Sequence, residues 1–563
     1  MASNFDFHDN AGFLDNSLVV GNNYYDEKQI VKQQEDLKQQ SKSAGYIPDS
    51  VKDFILYFQK QFKEGNTYEL HSCYETGFNK LTENFYKTSP WPDPETAVAP
   101  LVKDPNFLLF YSEVYFRHLY GLLQPNTEQR IQSYSNYCQL FNFFLNSEHP
   151  VDVELPSYWA WDIIDEFIYQ FNSFCIYRNK VIKRGNVAEI KSFRANYDTW
   201  APYSVLNVLY SLSSKSKISE QLEAIKNGQD PLAVAGEYGS KPLYKTLGYF
   251  SIIGLLRVHT LMGDFSLALE TMKGIQLNKK AFFARVATAH YTTYYYVGFC
   301  YMMLRRYADA IKAFSHILLF ISRTKNINRS AQYDAVSKKS DQMYALLAMC
   351  VSLNPTRLDE AIHTTLREKY GEQLYKMQRG GADALPIFEE LFSFAAPKFV
   401  SPGAPDYENP AMNVSPALYH CKVFLQDVTS TITAPSLKNY LNLYATMDVG
   451  KLATFLEISP DEVRSVLVNF KLKNRQLKWS EGDIIKGESS NVSEIDIALE
   501  NDIIHASETK NSRKYADWFI RNTSKNYSAQ ESISNPEKQE AENSRQNAGR
   551  KRHAAKESKK ESK

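Results

Sequence analysis

Along most of this chain apolar residues recur every three to four positions, the spacing of helices that bury one face. Toward the C-terminal end the pattern sharpens. Leu452, Ala453, Leu456, Ile458, Val463 and Val466 carry helix-turn-helix spacing: an i, i+4 apolar pair, a small residue where the second helix crosses, then an i, i+3 pair facing back. Between them, Ser459-Pro460-Asp461-Glu462 supplies an N-cap, a proline at the first helical position and a glutamate that closes a capping box. Further on the period becomes two. Ile495, Ile497 and Leu499 alternate, Glu500-Asn501-Asp502 turn the chain, and Ile503, Ile504 and His505 return, which reads as a β-hairpin. Two helices and a hairpin predict a winged helix over residues 435–507.

Upstream, helical hairpins repeat. Gly298, Tyr301, Tyr307, Ala310 and Phe314 have tetratricopeptide spacing: a close packing point at Val297-Gly298, a small residue where the helices approach, and a ring for the groove to the next repeat. Leu256, His259, Phe265, Ala268 and Met272 occupy the same places one repeat earlier, with Gly263-Asp264 as the tight turn. Ala268 and Ala310 lie further apart than the roughly 34 residues of a regular repeat, so the array is irregular, with stretched loops.

Prolines and polar runs divide the rest. Residues 1–50 are polar and read as a mobile tail, in which Phe5, Phe7, Phe13 and Leu14 stand out. An aromatic-rich helical region follows over 51–239, broken at Pro90-Trp91-Pro92-Asp93-Pro94. The tetratricopeptide-like repeats run over 240–434, with a proline-rich surface crossing from Pro397 to Pro416. After the winged helix, residues 508–522 read as a last helix with Tyr515, Trp518 and Phe519 on one face, and 523–563 as a disordered, Lys-rich tail. The predicted fold class is therefore mainly α: an irregular helical-repeat array ending in a winged helix.

A helix-turn-helix invites a DNA-binding reading, and the charges oppose it. The start of the second helix, which would enter a major groove, carries Asp461 and Glu462. Lys471, Lys473, Arg475 and Lys478 follow that helix and are candidates for weak RNA-backbone contact, against the plainer reading of a solvated basic strand. A winged helix also exposes sheet edges, which pair with other edges. The candidate protein-interface residues are Leu477 and Trp479 on the sheet edge, Ile495 and Ile497 in the wing, and Tyr515, Trp518 and Phe519 on the terminal helix.

Helical repeats running into a winged helix resemble the PCI scaffold module of the proteasome lid, the COP9 signalosome and the third eukaryotic translation initiation factor. The chain is most similar to the subunit L family of that factor. The resemblance is carried by words in order along the chain: Trp161 to Phe171, Ser204 to Leu209, Val234 to Gly239, Thr292 to Gly298, Gln342 to Ala348, Leu366 to Gly371 and Pro397 to Pro402. It spans about Val51 to Asn522, fails at both ends, and departs from the family pattern at Asp448 and Gly450. The resemblance implies a PCI module over about 310–507. It further implies a non-catalytic subunit that supports preinitiation-complex assembly on the small ribosomal subunit and messenger RNA recruitment. The partners implied are sister subunits, subunit K foremost, with the ribosome met indirectly. The alternative is an architectural subunit of a lid- or signalosome-type complex.

Composition agrees with a scaffold. The net charge of +1 creates no field toward nucleic acid or anionic lipid. The 37 Tyr and 33 Phe fall in helical runs, where interhelical packing is their plain role. Six dispersed cysteines without a C-x-x-C pair suit a reducing compartment. The start has no signal-peptide core and the chain no apolar run of about 20 residues, so a cytoplasmic protein without a membrane span is expected. No phosphate-binding loop, zinc motif or nucleophile elbow occurs, and no enzyme activity, metal or cofactor is expected. Asp162, Asp165 and Glu166 imitate a carboxylate pair, but an acidic face or buried ion-pair partners explain them without catalysis.

Overall fold

The computed structural model describes residues 47–277, 282–324, 333–381, 383–409, 413–480, 482–491, 493, 495–508 and 516–534. The chain divides into two compact units. The first comprises residues up to Pro435 together with Arg475–Ser490, and the second Ser436–Asn474 together with Asn491 onward.

The first unit is an array of antiparallel helices. Its longest member, Ser157–Arg184, buries Trp159, Trp161, Ile164, Phe167 and Phe171 and ends at Gly185, whose left-handed conformation suits glycine. The repeat hairpins form where the spacing placed them. Helix Pro242–Met262 turns at Gly263 into Phe265–Thr271, and Ala287–Met303 turns into Tyr307–Thr324. Gly298 is required by packing: a Cβ there would lie 2.6 Å from Phe314 Cε1. Ala310 and Phe314 are wholly buried beneath it.

The sequence reading separated 51–239 from 240–434, whereas one continuous core runs from Ile47 through Val428. The glycines at the expected boundary mark close approach, not a linker. Gly236 breaks its helix with φ +68°, and a Cβ on Gly239 would lie 2.3 Å from Ser216 O. Gly239 thus lets its own helix close on the end of Pro202–Ser216, and Gly248, where a Cβ would lie 1.9 Å from Ser216 Oγ, lets Pro242–Met262 pack directly on Pro202–Ser216.

The second unit has winged-helix topology. Strand β1 (Thr446–Asp448) leads into the helices Val449–Leu456 and Pro460–Asn474. Strands β2 (Arg475–Lys478) and β3 (Glu488–Asn491) pair as a separate two-stranded sheet that falls, up to Ser490, in the first unit, while β4 (Ile495–Glu500) and β5 (Ile503–Glu508) form the wing of the second. The wing sheet has the order β1-β5-β4, all antiparallel, with Met447 opposite Ile504 and Ile497 opposite Ala506. The capping box forms, with Ser459 N–H donating to Glu462 Oε2 at 2.9 Å and Glu462 N–H to Ser459 Oγ at 3.3 Å. Asn501 and Asp502 both have positive φ, the backbone of a two-residue hairpin turn. Leu437, Leu441, Met447, Leu452, Val463, Leu467, Phe470 and Ile504 fill this unit's core.

Candidate assembly surfaces

The residues singled out for partner contact fall in three settings: the segment Arg475–Ser490, the wing and the terminal helix. Ile495 and Ile497 are buried, 5% and 6% exposed, because alternation turns them into the winged-helix core. Their side chains therefore do not face a partner, which corrects their reading as contact residues. Leu499 and Ile503, beside the turn, are exposed instead. The outer strands of the wing sheet are β1 and β4. On β4, Lys471 Nζ donates to Ile497 O at 2.6 Å and lies 4.0 Å from Asp496 Oδ1, so this lysine is engaged with the wing.

Leu477 and Trp479 do not extend the wing sheet. They belong to the Arg475–Ser490 segment of the first unit. Leu477 is exposed, but Trp479 is half-buried against the array core, and its N–H donates to both carboxylate oxygens of Asp309, at 3.0 and 2.9 Å. Arg306 pairs with Asp309 and donates to the carbonyls of Ile484 (3.2 Å), Ile485 (2.7 Å) and Lys486 (3.2 Å). Tyr301 OH donates to Ile484 O at 2.8 Å, and the Arg306 guanidinium stands 4.6 Å over the Tyr301 ring. Sequence reasoning missed this constellation. Its one signal was the Arg306-x-x-Asp309 pair at the start of a repeat helix.

Among the basic residues, Arg475 and Lys478 are exposed on β2, while Lys473 is partly buried near the end of its helix. On the outer side of that helix Val468 and Leu472 are exposed one turn apart, which gives it an apolar rather than a basic outer stripe.

The terminal helix spans Ala516–Ser534. Tyr515 lies outside the described residues. Trp518, Phe519, Ile520, Tyr527 and Ile533 are all exposed, between 60% and 81%. Phe519, Ile520, Tyr527 and Glu531 lie side by side on one open face of this helix. The sequence reading ended this helix near residue 522. It continues to Ser534 because no Pro or Gly interrupts it, and Tyr527 lies two turns after Ile520 on the same face. Residues 535–563 of the expected tail lie outside the described residues.

The acidic trio is structural in its surroundings. Arg117 bridges the buried Glu113 and Asp162, reaching Asp162 Oδ2 at 3.3 Å. Trp159 Nε1 donates to Glu113 Oε2 at 3.1 Å, and Tyr74 OH to Asp162 Oδ2 at 2.6 Å. Asp165 pairs with Arg257. Among the described residues Glu166 has no such ion-pair partner, and its buried Oε2 makes no hydrogen bond of regular geometry. Burial pushes Glu166 up to about 7, partly opposed by the Arg117 charge and reinforced by Asp165 and Asp162. Glu113 is held well above the usual carboxylate range, also by burial. Carboxylates tied to arginines and ring donors inside a helical core brace helices against each other. Among the described residues no group of three or more His, Cys, Asp or Glu is placed to hold a metal ion, and no helix is long and apolar enough to cross a membrane.

The molecule is a mainly α helical-repeat array with a second unit of helices and an antiparallel sheet, and it exposes apolar side chains on its terminal helix. The comparisons narrow the class. Residues 129–526 match the family described as "RNA polymerase I-associated factor PAF67". The chain is 58% identical to eukaryotic translation initiation factor 3 subunit L of Yarrowia lipolytica, over 94% of this chain and 98% of that one. It is 60% identical to the protein of the same name from Aspergillus niger (72% of this chain, 86% of that one) and 60% identical to that of Neurospora crassa (71% and 85%). The chain belongs to the subunit L family of eukaryotic translation initiation factor 3.

Proposed function

We propose that this chain is a non-catalytic scaffold subunit of translation initiation factor 3. In that role it supports assembly of the preinitiation complex on the small ribosomal subunit and recruitment of messenger RNA. The observation that carries the reading is the 58% identity to a named subunit L over 98% of that protein's length. Likeness at that level and coverage favours the initiation factor over a lid- or signalosome-type complex.

The contacts proposed follow from exposure. The exposed Trp518, Phe519, Ile520 and Tyr527 dock on helices of sister subunits, since so many uncovered apolar side chains around one helix are costly in water. The outer strands β1 and β4 offer backbone to the winged helix of a neighbour, subunit K being the partner that the resemblance implies. The ribosome is met through the complex, with Lys473, Arg475 and Lys478 as secondary RNA-backbone contacts. The reading includes no membrane, cofactor or small-molecule substrate, and places the protein in the cytoplasm.

The test is affinity purification of three forms: the full chain, a chain ending at Ser534 and a chain ending at Glu508. The first two should bring down sister initiation-factor subunits equally, and the third should lose them in part or whole. Equal recovery by all three would remove the terminal helix from the account. Absence of initiation-factor subunits from the full-chain preparation would remove the function.

A further inference from the structure

The net charge of +1 hides one concentrated basic site. Between residues 178 and 194 stand six basic side chains, Arg178, Lys180, Lys183, Arg184, Lys191 and Arg194, against one acid, Glu189. They lie on a single helical hairpin within the repeat array. Helix Ser157–Arg184 ends at Gly185, whose φ of +70° turns the chain, and Val187–Ala195 follows. The hairpin is held from within. The Phe193 ring meets Phe174 edge-on at 5.7 Å, and Tyr177 OH donates to Glu189 Oε2 at 3.1 Å. The one carboxylate of the stretch is therefore already engaged.

Little balances the cations. Lys180, Lys183, Arg184 and Lys191 are exposed, and among the described residues none of the four forms an ion pair. Lys180, Lys183 and Arg184 are i, i+3 and i+4 neighbours, so their like charges repel. Arg194 comes no nearer than 3.9 Å to Glu408 and stands 5.6 Å over the Tyr407 ring. Arg178 is 7% exposed, makes no ion pair among the described residues, and has a buried Nε without an acceptor. A guanidinium taken out of water without a counter-charge is costly unless an anion joins it. Helix C-termini attract cations, which accounts for Lys183, Arg184 and Arg194 in their last turns. It does not account for Arg178, Lys180 or Lys191.

We propose that the hairpin from Arg178 to Arg194 binds the phosphate backbone of single-stranded RNA. Cations on both helices of a tight hairpin suit a ligand that carries charge at every residue. Tyr197, 72% exposed just after Val187–Ala195, offers a ring face to a base. An acidic peptide fits less well, because it needs an apolar groove to anchor it. Phe174, Val181, Ile182 and Phe193 are buried, and Val187 is the one exposed large apolar side chain of the stretch. The choice of RNA over DNA rests on the initiation-factor reading; binding by the hairpin does not. The site is also separate in sequence from Lys473, Arg475 and Lys478.

The test is fluorescence anisotropy of a labelled single-stranded RNA of about 20 nucleotides with the full chain, at several salt concentrations. One variant combines Lys183→Ala, Arg184→Ala and Lys191→Ala, all at exposed positions, so the fold and Tm should hold. The control combines Lys473→Ala, Arg475→Ala and Lys478→Ala. The hairpin variant should lose about tenfold in affinity, and its slope of log affinity against log salt should fall by about 2, at about 0.7 for each phosphate contact removed. The control should stay within about twofold of the parent. No binding by the parent, an unchanged affinity and slope in the hairpin variant, or an equal loss in the control would overturn the proposal. Displacement of the RNA by polyglutamate at matched charge would overturn it too and assign the hairpin to an acidic protein. Recovery of sister subunits by affinity purification reads the initiation-factor account separately. If the hairpin binds RNA and no sister subunit is recovered, that account alone fails.

Discussion

Glu166→Gln should stabilise this protein at alkaline pH, although it removes a charged group from the acidic trio Asp162, Asp165 and Glu166. Glu166 is 9% exposed, and burial raises its carboxyl from an ordinary 4.5 to about 7. A group whose folded value is raised contributes stability that is fully present below about pH 4.5 and lost as pH rises through about 7. With about 1.4 kcal/mol per unit, ionising Glu166 costs the folded state up to about 3 kcal/mol at pH 8 and about 1.4 at pH 5.5. Gln keeps the shape and never ionises. Its own cost, an altered hydrogen bond near Gln170, is about 1 kcal/mol at either pH. The variant should therefore gain about 2 kcal/mol on the parent between pH 5.5 and 8, because shared titrations at Glu113 and Asp162 largely cancel in the difference. The assay is thermal unfolding followed by circular dichroism at both pH values and constant ionic strength. A gap in Tm that is the same at both values, or that favours the parent at pH 8, would refute the reasoning. The sequence left an acidic face or buried ion-pair partners open for this trio; Glu166 is buried, and the arginine beside it is taken by Glu113 and Asp162.

Three further outcomes follow from the packing. Gly298→Val forces a side chain against the Phe314 ring and should cost about 1–3 kcal/mol, read as a lower midpoint in denaturant; an unchanged midpoint would show the repeat groove to be slack. Lys471→Ala removes the donor to Ile497 O and should raise amide exchange in β4 by several-fold, with a stability change under about 1 kcal/mol, while exchange in the repeat array stays put. Trp518→Ser combined with Phe519→Ser should leave stability within about 0.5 kcal/mol, since both rings are exposed, yet abolish recovery of sister subunits; retained recovery would assign assembly to other surfaces.

What the sequence made legible is what local spacing encodes. The helix-turn-helix was readable because Ser459 and Glu462 punctuate a clear apolar period. The wing was readable because Ile495 and Ile497 alternate up to a turn. The same alternation misled the site assignment: an apolar stripe in a strand marks the side that meets its own core. The anchorage of the segment Arg475–Ser490 on Arg306 was not legible. Arg306 and Ile484 are 178 residues apart, and three of the acceptors are backbone carbonyls, which carry no residue signature. The end of the terminal helix was misplaced because few apolar residues follow Asn526. Tyr527 and Ile533, spaced along one uninterrupted helix, are enough to carry it to Ser534. At Gly239 a glycine serving close packing against Ser216 looked the same, in sequence, as one marking a boundary.

The central claim, a scaffold subunit of translation initiation factor 3, is tested most directly by sedimentation. Extract from cells expressing the tagged chain at its native level is run on a sucrose gradient, and the fractions are analysed by mass spectrometry. The account predicts that the chain migrates with the other initiation-factor subunits and, in part, with small ribosomal subunits. Migration free of both, or only with RNA polymerase I, would contradict it.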